Sequence, residues 1–216
     1  MKKIISFSLW GSNTKYTEGA VKNAEDVQVF YPGWIARFYH DTTVPQDILE
    51  RIAATGAEMK PMGETTDVLG MYWRFHPICD NPEVERFIVR DTDSRFTQRE
   101  VKMVNEWVES GKDFHIIRDN RSHNISMLGG TWGAKGGIMP DFMTRLSIWF
   151  AKLTPTNNDR GLFFGTDQMF LHWYVWPVAV KNHCAHVLAN TPELKITGNE
   201  IEVPAPEDGH FVGMPA

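Results

Sequence analysis

The chain has little that would tie it to an oxidising or membrane setting. Two cysteines, Cys79 and Cys184, stand in 216 residues. They exclude a disulfide framework and form no C-x-x-C metal knuckle. The longest apolar stretch, Met169 to Val180, is broken by His172 and Pro177 and is too short to span a bilayer. A basic surplus is also missing: 22 Lys and Arg face 27 Asp and Glu, for a net charge of −5, which disfavours a general polyanion binder such as a nucleic-acid protein. There is no G-x-G-x-x-G, and the glycines from Gly129 to Gly137 lack the spacing and the G-K-[ST] ending of a P-loop. Neither a dinucleotide fingerprint nor a Walker site is supported. The apolar start, Ile4 to Trp10, is interrupted by Ser6 and Ser8 and reads as a first strand rather than a leader. These absences point to a protein without a transmembrane segment, working in a reducing, cytoplasmic compartment.

What is present is a globular composition, 42% apolar and 23% charged, long enough for one core. Eight tryptophans and thirteen phenylalanines are many. Most belong to a core, and some are available to pack on sugar faces.

Segments rich in strand formers alternate with helical patterns over the first 120 residues. Strands are predicted at Ile4 to Leu9, Val27 to Tyr31, Arg37 to His40, Glu58 to Met62, Arg86 to Val89 and Phe114 to Ile117. A helix opens at Val44-Pro45 and closes at Gly56, and Thr66 or Asp67 caps another running to about His76. Thr97 and Glu100 have capping-box spacing at the start of a helix that ends at Gly111. Arg118 to Pro140 reads as a glycine-rich loop. Phe142, Leu146, Trp149, Phe150 and Leu153 share one face of an amphipathic helix, and Asp167 starts a further helix to about Trp176. The tail from Thr191 reads as surface-wrapped. The alternation predicts one α/β domain with a mainly parallel, Rossmann-like sheet flanked by helices.

The chemistry begins at Asp91-Thr92-Asp93. Residues i and i+2 of an extended segment face one side, so two carboxylates leave a buried strand together, into the crevice where α/β sheets bind ligands. Paired carboxylates suit Mg²⁺ or Mn²⁺. An EF-hand is excluded, because its sixth and twelfth positions would be Phe96 and Lys102. A haloacid-dehalogenase-type phosphohydrolase also uses D-x-D after a strand, though usually near the N-terminus. The remaining use is a nucleotide-sugar site.

Phe7-Ser8-Leu9-Trp10-Gly11, Tyr72-Trp73-Arg74-Phe75, Arg90 to Arg95, Phe114 to Asp119, Gly129 to Gly133 and Asp167-Gln168-x-Phe170-Leu171, taken in order, resemble small GT-A-type glycosyltransferases of bacteria and large DNA viruses, including those that glycosylate chlorella-virus capsids. The resemblance spans roughly residues 4 to 176. It implies a nucleotide-sugar half over about 1–95, an acceptor half over about 96–190 and a tail over 191–216. It implies a nucleoside-diphosphate sugar donor, a UDP-sugar foremost, a glycan acceptor and bound Mn²⁺ or Mg²⁺, and it places the enzyme in the cytoplasm, the host's if the chain is viral.

Residue by residue, Leu9, Trp10, Gly11 and Tyr16 would hold base and ribose. Arg74 would pair with Asp91 or meet the diphosphate. Asp93 would bind metal, with Asp91 on metal or ribose. His183, His186 and His210 are candidates for a further metal ligand, and His210 is carried forward. Asp119, His123, Gly130, Trp132 and Gln168 would meet sugar. Asp167 would act at the acceptor face. Each has a plain alternative: core packing for Trp10, Tyr16 and Trp132, a surface arginine for Arg74, a polar turn for Asp119 and His123, a cap for Asp167. Two other functions stay open at this stage: the phosphohydrolase, and a sugar-nucleotide or glycan-binding module without turnover.

Overall fold

The computed structural model describes residues 1–63, 68–80, 82–154 and 163–216. Eight strands form one sheet in the order β3-β2-β1-β4-β6-β5-β7-β8. They are β1 (Lys2–Leu9), β2 (Trp34–His40), β3 (Glu58–Pro61), β4 (Val84–Val89), β5 (Phe114–Arg118), β6 (Trp132–Lys135), β7 (His183–Leu188) and β8 (Ile201–Val203). All neighbouring pairs run parallel except those made by β6, which is antiparallel to β4 and β5. The mainly parallel α/β sheet expected from the sequence is therefore present.

Alternation along β1 feeds two cores. Ile5, Phe7 and Leu9 join the helices α1 (Thr14–Phe30), α2 (Gln46–Ala54) and α3 (Gln98–Ser110) on one face. Ile4 and its neighbours on β4 to β6 pack on the other face. That second face is covered by a 3₁₀ segment (Val68–Cys79), α4 (Phe142–Lys152) and α5 (Thr166–Phe170). Helix α5 runs on through a π turn (Leu171–Val175) into α6 (Trp176–Ala179).

Three local readings are corrected. Val27 to Tyr31 is not a strand but mostly the end of α1. Thr17, Ala20, Val21, Ala24 and Val27 are buried at helical spacing, while Val29, which a strand would bury beside Val27, is 69% exposed. The run before Pro77 is 3₁₀ rather than α: Tyr72, Phe75 and Ile78, three apart, are all fully buried, which is the 3₁₀ repeat. Its proposed caps, Thr66 and Asp67, lie outside the described residues. The glycine-rich loop contains β6, where a Cβ on Gly133 would stand 2.4 Å from the Phe87 carbonyl oxygen.

Half of the capping box is present: Thr97 accepts from the Glu100 amide at 3.1 Å, while the Glu100 carboxylate turns to Arg90 and Tyr31, and Gly111 ends α3 with φ +69°. The tail is more than surface wrapping. Strand β8 pairs with β7, and Leu194 and Val212 are fully buried. Among the described residues, no helix is long and apolar enough to cross a membrane.

Candidate active site

Strands β2 and β3 extend the sheet to one side of β1, and β4 returns on its other side. The carboxyl ends of β1 and β4 thus flank the switch point of the sheet, where such folds open a crevice. A cavity of about 500 Å³ opens there.

Two serines of β1 fix its central cation. Ser6 Oγ donates to the Arg74 carbonyl at 2.7 Å, and the Arg74 amide donates to Ser8 Oγ at 2.9 Å. The 3₁₀ backbone is thereby locked to the sheet, and the Arg74 side chain enters the cavity only 7% exposed. Its Nη1 donates to Asp91 Oδ1, and its Nη2 to Asp167 Oδ2 at 3.1 Å. One guanidinium thus ties the strand-end motif to the start of α5. Its Nε is buried without a partner among the described residues.

Asp91 and Asp93 both reach the cavity wall, as expected, but from a turn rather than an extended segment, and Thr92 between them lines it too. Each already has a cation: Asp91 has Arg74, and Asp93 has Lys15 Nζ at 2.8 Å. The turn between them is held from behind. Asn23 donates to the carbonyls of Asp91 and Thr92 at 3.3 and 3.2 Å, Ser94 Oγ to Asp91 O at 3.0 Å, and Arg95 to Thr92 O at 3.1 Å. Behind it, buried Arg90 donates to Glu100 at 2.6 Å, and Tyr31 donates to the same carboxylate at 2.9 Å.

Asp167 is 4% exposed. Burial pushes its carboxyl above the ordinary range and the nearby Asp91 charge adds to this, while the Arg74 charge pulls it back. It is not the helix cap; that position is Gly165, and Asp167 accepts from the next amide at 2.9 Å. Gly129 and Gly130 press backbone against these acids. A Cβ on Gly129 would stand 2.2 Å from Asp167 Oδ2, and one on Gly130 2.0 Å from Asp91 Oδ2.

Leu9, Trp10, Tyr16, His123, Gly130 and Gln168 also line the cavity. Gly11 does not. It makes the turn after β1 with φ +72°, its amide donating to Thr43 Oγ1 at 2.6 Å. Three expected contacts are displaced. Trp132 is fully buried between Phe75 and Phe87, on the core face of β6. Asp119 is buried behind the wall, bonded to Arg99 and, at 3.1 Å, to the Val212 amide. Its Oδ1 lies 3.5 Å from His123 Nδ1, and the residue stands behind the wall rather than in it. His210 is on the surface near Asp208 at 3.7 Å, apart from the cavity lining. Among the described residues, no three or more His, Cys, Asp or Glu side chains gather as a metal cluster.

The sequence reading missed Lys15, Met71 and the C-terminal wall. Gly213 and Pro215 line the cavity, Pro215 bridges to Ser94, and the Ala216 amide donates to Asp93 O at 2.8 Å. Lys15 carried a signal, the Asn13 cap of α1 just before it; the tail carried none.

No family model and no curated protein matches the chain. Solved structures do. A glycosyltransferase that acts in glycosylation of the major capsid of PBCV-1 superposes with TM-score 0.50 at 14% identity, over 87% of this chain and 82% of that one. A 4-diphosphocytidyl-2C-methyl-D-erythritol synthase from Anaerococcus prevotii superposes with TM-score 0.50 at 12% identity, over 91% and 92%. A mycobacterial protein matches with TM-score 0.40 at 13% identity, over 62% of this chain; the chain spans 53% of its length. The fold is therefore the one used by GT-A glycosyltransferases, and glycosyltransferases are among its solved neighbours. At this level of identity the likeness is one of fold. A synthase shares it, so function rests on the site.

Proposed function

We propose that this chain is a glycosyltransferase moving a sugar from a nucleoside-diphosphate sugar, a UDP-sugar foremost, to a hydroxyl of a glycan acceptor. The observation that carries the reading is Arg74, which joins the strand-end Asp91 to the buried Asp167 across one cavity at the sheet's switch point. The cavity takes lining residues from both stretches proposed as halves, about 1–95 for the nucleotide sugar and about 96–190 for the acceptor, and from the tail. Trp10 and Tyr16 offer aromatic faces to base and ribose. The absence of a disulfide framework fits a cytoplasmic enzyme.

Asp91 and Asp93 are hard oxygen donors on the wall and fit Mn²⁺ or Mg²⁺, whose remaining ligands would be diphosphate and water. When bound, such an ion neutralises charge on the departing diphosphate. The chain's own groups do the rest. Lys15 and Arg74 hold the two carboxylates against mutual repulsion. Arg74 also places positive charge where phosphate oxygens would lie, with Nε still to donate. Asp167, buried and with its carboxyl shifted upward, takes the acceptor hydroxyl proton in an inverting course.

Nucleotidyl transfer from a triphosphate would bring more negative charge to a wall that already carries three carboxylates. The phosphohydrolase would need a second acidic pair, and among the described residues the cavity wall adds only Asp167 to Asp91 and Asp93.

The test is thermal shift with UDP-, GDP- and dTDP-sugars, with and without Mn²⁺, followed by product analysis. A UDP-sugar should stabilise the fold in a Mn²⁺-linked way that Asp93→Ala removes. Asp167→Asn should cut turnover by about 100-fold or more in protein that still folds, since Asn keeps the volume and the oxygen that accepts from the Gln168 amide, and Asp91 still balances Arg74. Pyrophosphate from a triphosphate, or phosphate from small esters, without nucleotide-sugar turnover would refute the reading.

A further inference from the structure

Of the eight tryptophans, Trp173 alone is mostly exposed, at 63%. An indole that contributes so little to the core needs another account. It stands in the π turn Leu171–Val175, where the helix gives up its regular bonding. Such turns recur at functional sites. Beside it, exposed His172 packs edge-on at 4.7 Å. Ser126 holds that ring at Nδ1 from 2.9 Å, and Nε2 has no partner among the described residues.

This patch is joined to the cavity along two separate elements. Gln168 lines the cavity, and His172 lies one helical turn beyond it. Leu128 lines the cavity, and Ser126 lies two residues before it. His172, four residues past Gln168, follows it on the same side of the helix, and Trp173 stands next to it.

We infer that His172 and Trp173 form an acceptor subsite for an oligosaccharide, engaging the sugar next to the one that reacts. The inference rests on the glycosyltransferase reading and extends it to a chain-like, rather than single-sugar, acceptor. The indole offers a flat apolar face to sugar C–H groups. His172 Nε2 offers a hydrogen bond to a hydroxyl. An apolar partner would leave that imidazole unpaired on burial, which costs free energy. A glycan satisfies both groups.

The test is indole NMR on the whole chain, with the Trp173 signal assigned by Trp173→Phe. Maltotetraose, cellotetraose, chitotetraose and mannotetraose are titrated separately in the presence of UDP. At least one should shift the Trp173 indole saturably, and Trp173→Ala should weaken that saccharide's binding roughly tenfold by calorimetry. No shift with any saccharide overturns the subsite. So does a shift seen only with anionic phospholipid vesicles, or one that follows protein concentration alone, which would mark a lipid surface or a second copy. The Trp10 indole reports separately on nucleotide. UDP moving Trp10 while every saccharide leaves Trp173 unmoved removes the subsite and keeps the nucleotide-sugar reading. A Trp10 signal indifferent to UDP, with a saccharide still moving Trp173, keeps the glycan site and counts against that reading.

Discussion

Arg74→Met is the sharpest single test of the site's internal logic. The backbone of residue 74 is held by Ser6 and Ser8, so the 3₁₀ segment should survive the change. Methionine refills the side-chain volume with apolar atoms. What is lost is the counter-charge to two acids. The Asp91 side chain is 37% exposed, so water replaces most of its partner's effect. The Asp167 side chain is 6% exposed and has no such relief. Removing one member of a buried pair costs about 3–5 kcal/mol, because a charge is left uncompensated. Discounting the Asp91 half, about 3 kcal/mol is expected, or roughly 10 °C of melting temperature in a chain of this size. The loss should also depend on pH. Arg74 pulls the Asp167 carboxyl down, so without it the folded-state value climbs further above the unfolded one. A carboxyl raised in the folded state destabilises above its unfolded value, increasingly up to the folded value. The deficit of Arg74→Met should therefore be largest near neutral pH and shrink as pH falls and Asp167 protonates. Urea unfolding of parent and variant at several pH values measures this. The double variant Arg74→Met/Asp167→Asn should recover part of the loss, since the two changes share one interaction. A deficit that is flat with pH, or a double variant as poor as the sum of the singles, would refute the argument.

Two further expectations follow from buried groups away from the cavity. Trp132→Ala should cost about 4 kcal/mol in urea unfolding, since the ring fills the core between Phe75 and Phe87, while UDP affinity of the folded protein stays near parental; near-parental stability with weakened sugar binding would return Trp132 to the site. His115 and His186 bond each other at 3.0 Å, His186 bonds Glu106 at 2.8 Å, and burial holds both imidazoles below the ordinary histidine range, with Glu106 opposing the shift at His186. At these groups the unfolded chain binds more protons below about pH 6.5, so the pair, with His76 and His183 that burial also lowers, makes stability fall between about pH 7.5 and about pH 5.5, and His115→Phe, which keeps the stacking on Trp107, should flatten part of the slope. An unchanged slope in that variant would exclude the pair as its source.

The parts of this molecule written in short-range code were legible, and the parts set by distant packing were not. Thr97, Glu100 and Gly111 bounded α3 because caps and left-handed stops act within one turn. The continuous apolar run Phe87-Ile88-Val89 read correctly as a strand buried on both faces, and the acids just past its end reach the cavity because a turn there carries them over the sheet edge. Helix α1 failed because Val27, Val29 and Tyr31 mimic a strand. Its true face, Ala20, Val21, Ala24 and Val27, shows only over a longer window. Strand β6 failed for a different reason. Gly133 within it and Gly136 just after it are required by the close approach of β4, a strand distant in sequence, and not by any local turn. The same distinction decides the site. The resemblance named Asp119 and Trp132 as sugar contacts, yet their neighbours Arg99, Val212, Phe75 and Phe87 draw both side chains inward. Asp167 was legible as a residue with two meanings, cap or catalyst. The choice between them needed the fold: Gly165 occupies the cap position, and Arg74, 93 residues earlier, arrives to pair with the carboxylate. A buried acid relieved of its helical duty and held opposite a strand-end acid by a shared guanidinium is the arrangement that turns a family likeness into a chemical argument.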